Sequence, residues 1–415
     1  MLAAKFHTPE LTNGMTILGQ HMPQASSAAL TILVPAGSSH CPVELDCAAA
    51  IGCEWFMRGA AGKDTRQLND HLDRLGCQHH EVAQGEHIVF AAAQLGRNLH
   101  EVLAIWADIL CRPNFGDETF DSCRSLVEQD LVSLEDAPAK RCVLLLKEKF
   151  YPYPLGRCVY GSKESLASAN AGDIRLQMAK DLTANGTILA VAGNIEWPSF
   201  LEQAEKLFGQ WPSKDHEAPS TSPSHGGVTH ITKDSAQTHI GLAHASATAD
   251  SEHYYAARMA EMVLSGGMAS RLFTEVREKR GLAYHVSSRY NSLKSCAGMI
   301  TYAGTTPQKA QETLEVTVRE LKGLTNALSD DEMARARTQL KSALVMQGES
   351  TEARSGALAS DWYHLRRLRS LRELADAVDR VSIGDVKEYL AAYPVKNLTI
   401  MTIGPQPLDT SGITG

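Results

Sequence analysis

The sequence predicts an α+β protein made of two homologous domains of about 200 residues each, every domain a sheet packed against helices. Three observations support this. First, the two halves end alike. GDIRLQMAKDLTANGTILAVAGNI (Gly172 to Ile195) and GDVKEYLAAYPVKNLTIMTIGP (Gly384 to Pro405) each read as a helical pattern, a turn and an apolar strand closing on Gly. Gly172 and Gly384 lie 212 positions apart and Gly193 and Gly404 lie 211, so a near-constant offset relates both elements. Second, WPSKDHEAPSTSPSHGG (Trp211 to Gly227) is rich in Pro, Ser and Gly and lacks apolar periodicity, as a linker does. Third, strand-like and helix-like stretches are segregated rather than alternating. The predicted division is 1–210, a linker at 211–227, and 228–415.

Along the chain, GMTILGQHM and AALTILVPAG have strand composition and predict a hairpin. Helical patterns follow over Val43–Arg58, Thr65–Leu75 with Gly76 as the C-terminal cap, and Asn98–Leu110. A long helix from about Glu118 carries LVEQDLVSLED. In the second half, Ser329 and Glu332 have the spacing of a capping box that opens a helix reaching about Met346.

Composition limits the function. The 415-residue chain carries a net charge of −8, which argues against non-specific nucleic-acid binding. Its start lacks the apolar core of a signal peptide and its apolar runs fall short of a membrane span, so a cytoplasmic protein without membrane association is expected. Nine cysteines form no C-x-x-C pair and are expected to be reduced thiols.

Three constellations could carry chemistry. On the helix containing AAIGCEWFMRG, Ala50, Cys53 and Glu54 share a face. Histidines at 50 and 54 and a glutamate at 53 would make this H-x-x-E-H, the inverted zinc motif in which two histidines hold the metal and the glutamate activates water. The second is Arg277 with Tyr284 in REKRGLAY, a guanidinium fork and a phenol donor suited to planar oxygens. The third is CQHHEVAQGEH, where a strand would put Cys77, His79 and Glu81 on one face, either as a metal set or as the polar face of a solvated strand.

The chain resembles the insulinase/pitrilysin-type peptidases, and among them the short two-domain members that include the mitochondrial processing peptidase subunits. The resemblance rests on Arg58-Gly59 after the degenerate motif, on LVEQDLVSLEDAP, on YPLGRCVYGSKESL and ILAVAGNI, and above all on SGGMASRLFTEVREKRGLAYHVSS. It implies the mitochondrial processing peptidase-like (LuxS-like metallohydrolase) fold. It places Asp130 where that family has its third ligand, a Glu, so the ligand positions read Ala50, Glu54 and Asp130, and the base position reads Cys53. It implies that Arg277 and Tyr284 contact substrate carbonyls and the developing oxyanion. It further implies that CQHHEVAQGEH is the strand bordering the substrate cleft.

The expectation is a zinc-free subunit of a heterodimeric zinc peptidase. It has no cofactor of its own, and zinc is expected in a homologous partner with which it encloses peptide or unfolded protein. The alternatives are a peptide-binding or scaffold homodimer, and an active metalloenzyme with Cys53, Glu54 and Asp130 as new ligands.

Overall fold

The computed structural model describes residues 5–215, 218–325 and 328–413. The chain divides into two compact units, neither continuous in sequence. Unit 1 comprises 1–133, 157–220 and 347–370; unit 2 comprises 134–156, 221–346 and 371–415.

Unit 1 holds a six-stranded sheet in the order Phe6–His7, Thr16–His21, Ile188–Gly193, Ser27–Val34, Ile88–Leu95, Gln78–Ala83. Thr16–His21 and Ile188–Gly193 run parallel, and the other neighbours are antiparallel. The predicted hairpin is therefore not formed. Both strands exist, but Ile188–Gly193 lies between them, pairing Ile17 with Leu189 on one side and Ile32 with Leu189 on the other. Composition specified the strands; their partners were set by a segment far along the chain.

The inserted strand is buried at every position, which is why ILAVAG reads as an unbroken apolar run. Its Leu189 and Val191 face the main core with Ile17, Leu30, Trp55, Phe56 and Phe90. Its Ile188, Ala190 and Ala192 face the opposite side, where Leu358 and Ala359 of the helix Thr351–Leu365 cover them.

Unit 2 repeats this plan. Its sheet runs Val228–Thr232, Thr399–Gly404, Thr238–Ser246, Ala297–Thr305, Ala283–Ser292. The C-terminal strand of the repeat is again inserted beside a parallel neighbour. One face packs on the helices Tyr254–Ser265, Ala310–Gly323 and Ile383–Ala392; the other takes Cys142 and Leu146 of the helix Pro138–Phe150. That helix sits close. A Cβ on Gly298 would lie 2.3 Å from Phe150 Cε1, a contact only glycine avoids. Thus the second face of each sheet is covered by a helix encoded in the other half of the sequence.

The remaining helices follow the patterns closely. Thr65–Arg74 starts with Asp64 and Gln67 in a capping box and ends before Gly76 at φ +61°. Leu99–Cys111 forms within a residue of its expected bounds, and Asp117–Ser133 starts where expected but stops before the last three residues of LVEQDLVSLED, Leu134, Glu135 and Asp136, which turn. The predicted Val43–Arg58 helix is split into a short 3-10 turn, Val43–Leu45, and the helix Ala48–Phe56. Ser329 and Glu332 bond each other reciprocally at the start of Asp330–Glu349. Among the described residues no helix is long and apolar enough to cross a membrane.

One buried titratable group has a consequence for stability. His244, on the central strand of unit 2, is 4% exposed, and its Nδ1 finds no partner among the described residues. Burial pushes its pKa down to about 4. The unfolded imidazole takes a proton near pH 6.5, so stability is full above that value and falls as pH drops from 6.5 towards 4. The expected loss is roughly 3 kcal/mol. Urea midpoints measured across this range should decline for the native chain and decline less for His244→Gln.

Candidate functional site

The residues at the degenerate motif lie together in unit 1. Ala48–Phe56 packs against Asp117–Ser133 and against the edge strand Gln78–Ala83. Ala50 and Cys53 are buried, each 6% exposed. Glu54 is half-buried and its Oε2 lies 3.6 Å from the Arg58 guanidinium. Burial raises the Glu54 pKa; Arg58 opposes this, and the charges of Asp130 and Glu81 reinforce it. Glu54, Asp130 and Glu81 therefore share one electrostatic neighbourhood, as the family resemblance implied for the first two.

Whether these residues suit zinc is decided by their donors. Ala50 offers none. The Cys53 thiol is pushed far up by burial, then by the Glu81 and Glu54 charges, so it keeps its proton, whereas the thiolate is the ligand form. Glu54 already has a guanidinium neighbour. Among the described residues no group of three or more His, Cys, Asp or Glu is placed to hold a metal ion. The set does not fit zinc, which takes three or four protein ligands. This also removes the geometric basis for Cys53, Glu54 and Asp130 as a new ligand set.

Beside this helix, the strand Gln78–Ala83 forms the edge of the sheet and alternates exposed and half-buried residues. Cys77, His79 and Glu81 take the inward positions, as the alternation required. His79 Nδ1 bonds Glu81 Oε1 at 2.8 Å, and that bond raises the imidazole pKa against the effect of burial. Burial and the Glu81 charge push the Cys77 thiol to about 11. The trio is a hydrogen-bonded pair next to a protonated thiol, and it forms no metal set.

Arg277 and Tyr284 meet in unit 2. Two backbone irregularities place them. Phe273–Glu278 is a π-helical turn, with Lys279 N–H donating to the Thr274 carbonyl. Gly281, at φ +57°, closes it, and a side chain there would be strained. The second irregularity is a β-bulge. Ala283 pairs with Thr305 and His285 with Gly304, leaving Tyr284 as the extra residue. Alternation is broken there, so Tyr284 and His285 both face outward, and Tyr284 is 84% exposed. π-Turns and bulges both recur at functional sites, where they re-aim side chains.

The Arg277 guanidinium carbon lies 4.9 Å from the Phe273 ring centroid and 5.3 Å from that of Tyr284. Its basic neighbours are neutralised: Lys279 and Arg280 both bond Glu275, whose carboxyl they hold below its ordinary pKa. Among the described residues Arg277 has no carboxylate partner and Tyr284 Oη no hydrogen bond. A flat cation and a phenol are thus presented together with their donors unspent, an arrangement suited to a carbonyl or carboxylate.

Comparison with known proteins agrees with the sequence and the fold. The family described as Insulinase (Peptidase family M16) matches residues 16–163, and the Peptidase M16 inactive domain matches residues 168–340. Among relatives, proteins named uncharacterized zinc protease include one from Rickettsia felis, 28% identical, and one from Rickettsia bellii, 27% identical. Each alignment covers 97% of this chain and 98% of the relative. The uncharacterized zinc protease YmxG of Bacillus subtilis is 26% identical over 95% of this chain and 97% of its own.

Among solved structures, a peptidase M16 inactive domain from Pseudomonas fluorescens superposes with a TM-score of 0.88 at 20% identity, covering 98% of this chain and 99% of that one. A protease from Helicobacter pylori gives 0.88 at 16%, covering 97% and 100%. These likenesses show the fold. With consecutive M16 models matched from residue 16 to residue 340, and relatives aligned over nearly the whole length, the chain belongs to the insulinase family, peptidase family M16.

Proposed function

We propose that this chain is a non-catalytic subunit of a zinc peptidase, lending Arg277 and Tyr284 to the active site of a homologous, zinc-bearing partner that handles peptides or unfolded segments. The observation carrying this reading is the contrast between its two sites. The motif helix offers Ala50 and a protonated Cys53 where a metal needs ligands and a base. The Arg277–Tyr284 couple, in contrast, has among the described residues neither a carboxylate partner for the guanidinium nor a hydrogen bond at the phenol. A peptidase needs donors where the oxyanion forms, and these donors do not have to belong to the chain that holds the metal.

Co-purification from the native host, followed by metal analysis of each chain, tests the assignment. Zinc is expected in the partner at one ion per chain and at trace level here. Stoichiometric zinc in this chain would overturn it.

A further inference from the structure

The π-turn that aims Arg277 needs a reason to persist, because this geometry is seldom adopted and costs energy unless its surroundings enforce it. The contact of Arg277 with two rings cannot enforce it. Exposed cation–π pairs contribute only about 0.5–1 kcal/mol. Leu272 and Val276, both fully buried, anchor one side of the turn in the core. The anchors fix which residues are buried but not how the turn closes beyond Val276. A one-residue slip there, from π to α closure, would rotate Arg277 by about 100° in a helix of 3.6 residues per turn and take it off Tyr284.

Arg271, just before Leu272, makes a directed contact that does not tolerate the slip. Its Nε and Nη2 fork onto the Glu332 carboxylate at 2.6 and 2.9 Å, and its Nη1 donates to the Gly323 carbonyl at 3.3 Å. The two side chains are only 11% and 17% exposed. Glu332 is fixed in turn, since its Oε2 accepts from the Ser329 N–H and hydroxyl at the start of Asp330–Glu349. Arg271 thereby ties the turn to the end of one helix and the beginning of another. A bidentate guanidinium–carboxylate fork fixes orientation as well as distance.

Resting on the reading that Arg277 serves substrate binding, we infer that Arg271 and Glu332 are positioning residues: their fork holds the π-turn in register and so sets Arg277 over Tyr284. Neither touches substrate. Burial opposes ionisation of Glu332, but the bonds from Arg271 and Ser329 outweigh it and bring its pKa to about 2, so the fork persists at working pH.

The test uses the isolated full-length chain, so its outcome is separate from that of any partner assay. The rings of Phe273 and Tyr284 should shift the Arg277 δ-CH₂ NMR signal upfield, a signature assigned with Arg277→Lys. Arg271→Met or Glu332→Gln should abolish that shift while the methyl signals of Leu272 and Val276 stay in place. An unchanged upfield shift in both single variants would overturn the inference. Loss of the Leu272 and Val276 methyl signals together with the shift would overturn it too, by showing a general folding role.

Discussion

Arg277→Ala, assayed as a mixture of this chain with a zinc-bearing homologue, is expected to lower peptide turnover by about 10²- to 10³-fold, the effect of removing one oxyanion donor. Tyr284→Phe deletes a single hydrogen-bond donor and keeps the ring against Arg277, so a loss of the same kind is expected with the couple still stacked. Arg277→Lys should not rescue, since an ammonium cannot reproduce the planar fork. Complex formation, followed by size-exclusion chromatography, should be unaffected, because both side chains are exposed and hold no core contact. Unchanged turnover in both variants would refute the shared-site reading.

The second large effect concerns stability and lies in unit 1. Arg354, in the helix that covers the sheet's second face, is 1% exposed. Its Nε and Nη2 both donate to Gln20 Oε1, at 3.0 and 2.6 Å. Burial lowers its pKa, with Asp361 acting against this from a distance. Nearby, Ser27 meets Thr351 at 3.0 Å and Thr31 meets Ser355 at 2.8 Å. The helix is therefore held by directed polar contacts as well as by Leu358 and Ala359. Gln20→Leu would leave a buried guanidinium without its acceptor, at a cost of about 3–5 kcal/mol by analogy with a broken buried pair. Arg354→Met instead leaves only a neutral amide unsatisfied, about 1–3 kcal/mol. Urea denaturation of both variants checks the order: Gln20→Leu should be the less stable. The reverse order would mean that Arg354 contributes mainly through packing.

Much of this architecture was legible in the sequence because it is repeated. A strand ending in Gly at 193 and again at 404 occupies the same place in both sheets, beside a parallel neighbour. Local composition and periodicity do not show which strands meet. Thr16–His21 and Ser27–Val34 had every local mark of a hairpin, and the strand 188–193 separates them because both faces of the sheet need apolar cover. The exchanged helices were equally hidden. Nothing in PAKRCVLLLKEKF or TEARSGALASDWYHL states which sheet each will cover.

The site divides in the same way. Helical spacing was enough to bring Ala50, Cys53 and Glu54 to one face, and strand alternation to align Cys77, His79 and Glu81. The seven-residue separation of Arg277 and Tyr284 was visible; the π-turn and the bulge that let them stack were not, because neither irregularity has a distinctive composition. The Arg271–Glu332 fork spans 61 residues and the Gln20–Arg354 pair 334, and contacts at such separations leave no periodic trace.

A peptidase assay of the purified chain, alone and mixed with a homologue bearing an intact H-x-x-E-H helix, bears on the central claim most directly. Alone, with or without added zinc, the chain is expected to cut nothing; the mixture is expected to cleave peptides and to stop when a chelator is added. Chelator-sensitive cleavage by this chain on its own, in a preparation free of other peptidases, would contradict it.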